Sequence, residues 1–474
     1  MARTEAMKPV FSAIALQWRH LVSHYVAEWR IIRWLAPLVL LHSLIYVFLA
    51  PPWQHYDEPG HFLYAAYIVR GGISAPDNVA IAREVADSMY RHQFWPPNVR
   101  PDLLSPRPPA IPTDQRHHPP LYYIVMASII NPLRYLPVEM QLYAGRIVSA
   151  LLMTLTVLAI WRTVQTIVPD EPRMALVLAA MAALTPAFVD LMSAFNSDVL
   201  MNFAAAAAFL GMAIMLRDGW RPAGLALALL GATVAILTKR TALPIVAPLG
   251  LALFWVAYRR PLRWWVYVLA ASAGAGIVAV SSFTLTAEGL QTQPWLAAIE
   301  RDYLRIPLVP WLISWADWGR AWPWYQRTLE VAHSHFWVRL AWGHIPVWPP
   351  VGDWLFAGLS LAAIIGLCRG AFTSFATLPL WQQRWLWLCL LAVAVAWFAL
   401  FGRLHPLLLE GQPYIPRGRY LYWALVPTIW LVALGWQHLW SERWRPYTPY
   451  VLLAVLAIFD VAALMALVSF YYLN

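Results

Sequence analysis

The chain has 474 residues, 61% of them hydrophobic and 12% charged, against about 45–50% apolar and about 25% charged in an average soluble domain. Half the usual charge cannot coat a water-facing surface of this size, which excludes a soluble globular protein, a disordered chain and a fibrous repeat. The formal charge is +10, from 34 Lys+Arg and 24 Asp+Glu; in a polytopic membrane protein such a surplus follows the positive-inside bias, and no nucleic-acid partner is expected.

In chain order, residues 1–30 carry Arg3, Lys8, Arg19 and Arg30 among aromatics, without a small-residue cleavage site. They read as an amphipathic cytoplasmic lead-in. Apolar runs follow at 31–50, 143–166, 173–190, 199–216, 222–238, 242–258, 264–284, 353–368, 385–401, 419–436 and 448–470. Each is near the ~20 residues a helix needs to cross ~30 Å of hydrocarbon, so the expectation is an all-α membrane protein of about 11 transmembrane helices. Residues 119–131, pinched between Pro119-Pro120 and Pro132, have the length of an interfacial or re-entrant helix.

Whether 119–131 spans decides the side of every later loop. Read as a surface helix, it leaves Arg162, Arg173, Arg217, Arg221, Arg259, Arg260, Arg263, Arg369, Arg384, Arg443 and Arg445 on the N-terminal side. The short opposite connections then hold Lys239, Arg240, Arg403, Arg417 and Arg419. That imbalance predicts a cytoplasmic N-terminus and an outer C-terminus.

Two long outer loops result. Residues 51–142 hold apolar stretches too short to span, expected as surface helices, and a Pro-rich run from Pro96 to Pro120. Residues 285–352 are crowded with Trp, which suits the headgroup level or the wall of a lipid or sugar cavity. There is no repeat and no Gly/Ser linker, so residues 1–474 read as a single integral membrane domain. Cys368 and Cys389 lie in or beside spans, which argues against a disulfide or metal framework. The chain ends soon after its last span, so no soluble outer domain is expected after it.

The first loop opens HYDEPGHFLYAAYIVRGG. Asp57 and Glu58 precede Pro59, a first-turn residue, so both acids sit at a helix N-terminus. His61 and Tyr64 can share a face with Glu58. An N-cap and a surface histidine are one reading; paired carboxylates placed for general-base chemistry are the other. Asp198 starts a span and reads equally as its N-cap. The short-loop cations Lys239, Arg240, Arg417 and Arg419 oppose the topological bias and imply an anion, either a phospholipid headgroup or a bound phosphate that Arg would grip in a planar fork. Asp460, mid-span in AIFDVAALM, is a functional candidate by position but lone, which favours a hydrogen bond to a neighbouring helix. His333 and His335 have metal-like spacing without a third ligand nearby.

DEPGHFLYA after the first span resembles the acidic first-loop motif of the GT-C superfamily of membrane glycosyltransferases, which take sugars from polyprenyl phosphate carriers. Protein O-mannosyltransferases and the lipid A aminoarabinose transferase are members. In order, RHHPPLYYIVMA (Arg116 to Ala127), RIVSALLMTLTVLAIW (Arg146 to Trp161), LTPAFVDLMSAFNSDVL (Leu184 to Leu200) and PRGRYLYWAL (Pro416 to Leu425) look like the family's surface helix, second span, second acidic loop and the GRYL motif of an uncharacterised bacterial membrane family. The resemblance covers about residues 31 to 436. It implies a GT-C-like fold and an enzyme of the plasma membrane with its site on the outer face.

The resemblance further implies Asp57 and Glu58 as catalytic, with Asp57 as base and Glu58 orienting. Arg417, Arg419, Lys239 and then Arg240 would hold donor phosphate, and His61, His118, Asn196 and Asp198 would hold substrate or acceptor; His117 stands beside His118. The partners implied are a polyprenyl-phosphate-linked sugar, a glycan, lipid or protein acceptor, and membrane lipids. No cofactor is certain: some relatives use a divalent cation (Mg or Mn), which Asp57 and Asp198 would bind, and others do not. The alternative is a transporter or flippase of a lipid-linked sugar, which would place its ionisable groups near the midplane within inverted repeats.

Overall fold

A computed structural model describes residues 31–71, 78–96, 98–99, 101–112, 115–116, 118–259, 317–404 and 415–473. The expected span 264–284, the lead-in 1–30, His117 and the first part of the Trp-rich loop lie outside them. The chain is an all-α polytopic membrane protein; its one sheet among the described residues is the two-residue hairpin β1 (Arg339–Leu340) and β2 (Ile345–Pro346).

The membrane part follows the hydropathy. Helices α1 (Ile31–Leu49), α5 (Val138–Ile167), α8 (Ser197–Asp218), α12 (Val351–Thr373) and α13 (Leu380–Gly402) are each long and apolar enough to cross a bilayer. So are the segments Arg240–Tyr258, which contains most of α10 (Val246–Arg259), and Arg445–Leu473, which contains α15 (Thr448–Val468). Together these make seven such helices among the described residues.

Several expected spans depart from a plain helix. Pro186 cannot continue a helix, so 173–190 breaks into α6 (Pro172–Ala183) and α7 (Pro186–Met192), bent by 69°. Residues 222–238 form α9 (Pro222–Thr238), one of the shorter apolar helices. The run 419–436 starts as a 3₁₀ segment, Gly418–Ala424, before becoming α14 (Leu425–Leu439).

The first loop carries α2 (Glu58–Gly71), α3 (Val79–Arg91) and α4 (Leu121–Ile130), the short helices its interrupted apolar stretches predict. The ten-residue α4 is too short to span, in keeping with the reading of 119–131. Its Tyr122, Tyr123 and Met126 are buried against Trp53, Phe62, Val85 and Phe195, in a cluster separate from the main core. The described end of the Trp-rich loop is α11 (Trp318–Trp337) followed by the hairpin. Its tryptophans are put to different uses: Trp337 stacks on Phe356 and Trp348 meets Phe459 edge-on, while Trp318 and Trp322 stay exposed.

Asp460 is tied within the bundle. It accepts from Tyr46 Oη at 2.7 Å and lies 2.8 Å from His42 Nε2, so it joins α15 to α1. A hydrogen-bonded acid between helices is what its lone position suggested. Cys368 and Cys389 are free thiols.

Candidate active site

The site is built where α1 ends, α2 begins, α7 meets α8, and the Lys239–Ile245 turn approaches the Gly418–Ala424 segment. Trp53 and Asp57 both have positive φ, 72° and 52°, the left-handed region that non-glycine residues seldom occupy and that persists only where surroundings enforce it. The enforcement comes from below. Arg146, on α5 and fully buried, donates to the carbonyls of Val47, Ala50 and Pro51 at 3.0, 2.7 and 2.9 Å. It thereby satisfies orphan carbonyls at the C-terminal end of α1. The same guanidinium grips Glu58 with Nε to Oε1 at 2.8 Å and Nη2 to Oε2 at 2.6 Å.

Glu58 also accepts from the backbone N–H of Trp53 at 3.1 Å and of Phe195 at 3.0 Å. An ionised carboxylate offers about four lone-pair sites, and here all are used. Burial alone would raise its pKa, but the opposing pull of Arg146 holds it below the ordinary value. With its lone pairs taken by these four donors, Glu58 fastens the first loop to α5 and to the segment before α8.

Asp57 is free of that lock and faces the other way. Its Oδ2 takes Arg419 Nη2 at 2.5 Å, across 362 residues of sequence. Its backbone carbonyl receives the N–H of His61 at 3.1 Å. The Arg419 guanidinium lies over the Tyr56 ring at 4.8 Å and the Tyr420 ring at 5.4 Å. Tyr420 in turn sits 4.1 Å beneath Arg403, so a further cation, not among those expected in the site, stands beside it.

A second ion pair adjoins the first. Asp198 is fully buried, with Oδ1 2.8 Å from Lys239 Nζ, itself 2% exposed. Burial pushes the Lys239 ammonium below its ordinary pKa, against the pull of Asp198. Asp198 is not the N-cap of α8: Asn196 fills that place, its Oδ1 accepting from Asp198 N at 2.9 Å and its Nδ2 donating to Tyr56 O at 2.8 Å. Arg419 and Lys239 feel each other's charge, and Asp198 acts on both, so the two pairs form one electrostatic cluster.

The remaining expected residues surround it. Arg240 is buried beside Lys239. Arg417 is solvent-exposed, its Nη1 3.4 Å from His335 Nε2. Burial, reinforced by Arg417, lowers the His335 imidazole to about 3. His333 points elsewhere, to Ser360 Oγ at 2.9 Å, so the two histidines do not share a ligand. His61 and His118 stack with an interplanar angle of 4°, and His61 Nδ1 lies 2.8 Å from Tyr123 Oη. They form an aromatic wall one helical turn beyond Asp57.

Sequence reasoning missed the Arg146 anchor and the His55–Asp190 pair. His55 Nδ1 is 3.2 Å from Asp190 Oδ1, both side chains 1% exposed, and Asp190 Oδ2 accepts Ala341 N at 2.7 Å. Asp190 thus ties the first loop and α7 to the hairpin, which brings Trp342 to 6.5 Å from Tyr56. The signal was available: an Arg and an Asp inside otherwise apolar segments face protein rather than lipid. As for a divalent cation, Asp57 and Asp198 are each engaged by a basic side chain, and no group of three metal-ligating side chains occurs among the described residues. The residues in this arrangement do not fit a metal.

Residues 117–283 match the family model of dolichyl-phosphate-mannose-protein mannosyltransferase. The match is to a glycosyltransferase family. It covers His118, Arg146, Asp190, Asn196, Asp198, Lys239 and Arg240, and leaves Asp57, Arg417 and Arg419 outside. No curated protein and no solved structure matches the chain. The matched segment, with the apolar helices, supports a membrane protein similar to glycosyltransferases.

Proposed function

We propose that this chain transfers a sugar from a polyprenyl phosphate to an acceptor hydroxyl at the outer face of the plasma membrane, with inversion at the anomeric carbon. One observation carries the reading: two carboxylates, Asp57 and Asp198, meet two cations, Arg419 and Lys239, in one cluster, with Arg417 exposed alongside. The donor's phosphate lies against Arg417, Arg419 and Lys239, and its tail runs between helices. Asp57 accepts the proton of the acceptor hydroxyl as that oxygen bonds to the anomeric carbon. The bond from that carbon to the phosphate oxygen breaks, and the leaving phosphate keeps the electron pair. The cations stabilise the charge that develops on it, commonly the largest single contribution to such catalysis.

Glu58 and Arg146 hold the loop that presents Asp57 and touch no substrate. Asn196 fixes Tyr56 beside Asp57, and His61 with His118 lines the acceptor side. Transport is the weaker reading, because the one midplane acid noted in the sequence, Asp460, is consumed by His42 and Tyr46. The test is to incubate the purified chain with a polyprenyl-phosphate sugar and assay sugar released or transferred. Wild type is expected to consume the donor and Asp57→Asn to fail; equal consumption by both would overturn the assignment.

A further inference from the structure

Both acids of the proposed donor site pair with its cations. Asp57 occupies Arg419, and Asp198 occupies Lys239, with both acids buried. A cation held this far from water needs an anion, and removing its partner without replacement is strongly unfavourable. In the donor-free molecule that anion is the proposed base itself.

We infer that Asp57 is an internal surrogate for the donor phosphate, exchanged for it on binding, so that the donor must bind before the base is free to act. This rests on the function proposed above and specifies its control. The exchange is between like chemistries: a carboxylate oxygen and a phosphate oxygen each accept from the same Arg419 Nη2 donor. The cations stay paired throughout, and only the anion changes. Tyr56 and Tyr420 hold the Arg419 guanidinium from its faces, so the arginine keeps its place while its partner changes. The left-handed backbone at Asp57, φ 52°, adjoins Glu58, which Arg146 grips with two hydrogen bonds. The Asp57 backbone therefore keeps its position while its carboxylate turns from Arg419 to let phosphate in. An acceptor arriving first meets a carboxylate already engaged, which yields a compulsory order, donor then acceptor.

Removing the proposed base must therefore strengthen donor-lipid binding. The probe is undecaprenyl monophosphate, titrated into the full chain in phosphatidylcholine nanodiscs, with inorganic phosphate and phosphatidylglycerol as parallel titrants. Asp57→Asn is expected to bind the probe about tenfold tighter than wild type, the low end of coupling between close charge pairs. That gain should disappear when Asp57→Asn is combined with Arg419→Gln, because the competition acts through Arg419. Asp198→Asn, acting through Lys239, is expected to shift affinity in the same direction and serves if Asp57→Asn does not fold.

Asn variants that bind no tighter than wild type, or a gain that persists without Arg419, overturn the surrogate role while leaving the donor site standing. Wild type that binds the probe no better than phosphatidylglycerol, with no loss in Arg419→Gln, overturns the donor site itself. Inorganic phosphate displacing the probe at equal concentration would show a free-anion site and overturn lipid-phosphate recognition.

Discussion

Glu58 and Arg146 lie 88 residues apart and meet as a fully buried two-pronged pair, Nε to Oε1 at 2.8 Å and Nη2 to Oε2 at 2.6 Å. The arginine binds the end of α1, and the glutamate, which opens α2, accepts from the backbone N–H of Trp53 and of Phe195, the residue before Asn196. Two chain segments that supply the site are therefore fastened through one guanidinium. Arg146→Ala leaves a buried carboxylate unpaired, and breaking such a pair costs about 3–5 kcal/mol. The expected outcome is a sharp fall in melting temperature and in folded yield. Glu58→Gln keeps part of the hydrogen bonding and should fall less.

Asp57→Asn removes the proposed base without removing a loop contact. Transfer should drop by about 10²–10⁴-fold, the usual contribution of a positioned general base. The melting temperature should also fall, because Arg419 loses its buried partner, and should recover in Asp57→Asn/Arg419→Gln while transfer stays abolished. Transfer that returns together with the fold in that double variant would instead place Asp57 with Glu58 in the scaffold.

Lys239 and Asp198 are buried together, so each is costly without the other. Lys239→Gln is expected to lower the melting temperature, and the double variant Lys239→Gln/Asp198→Asn to regain much of it while transfer stays abolished. The measurement is thermal unfolding of detergent-purified protein set beside donor turnover.

His335 provides a pH readout. Its folded-state value of about 3 lies below the ordinary 6.5, so between these values the unfolded chain binds the extra proton. Stability therefore rises with pH through this window and is lost as pH falls from about 6.5 toward about 3. His335→Gln should flatten that acid-side decline in melting temperature.

Gly343 has φ 86°, and a Cβ there would enter the ring of His335. Gly343→Ala is expected to push His335 off Arg417. It should raise KM for the polyprenyl-phosphate sugar more than it changes kcat, as read from donor-dependent initial rates.

Hydropathy and charge alone determined most of the architecture. The apolar runs locate the helices because backbone groups in hydrocarbon must bond internally, and α4 was legible as a short surface helix from its flanking prolines. The acidic loop, the Arg-rich turns and Asp198 were also visible as residues. Their partners were not. Hydropathy is blind to which side of a helix meets which neighbour, so the pairing of Asp57 with Arg419 across 362 positions, or of His55 with Asp190 across the bundle, is settled by tertiary packing alone. Packing also gives two adjacent acids of one motif different partners. Glu58 points into the protein and is saturated by Arg146, while Asp57, turned by a left-handed backbone, faces the cations. The sequence by itself determined a membrane bundle and the acids and bases it carries; the tertiary structure decided which of them pair, because only packing brings residues far apart in the chain within bonding distance.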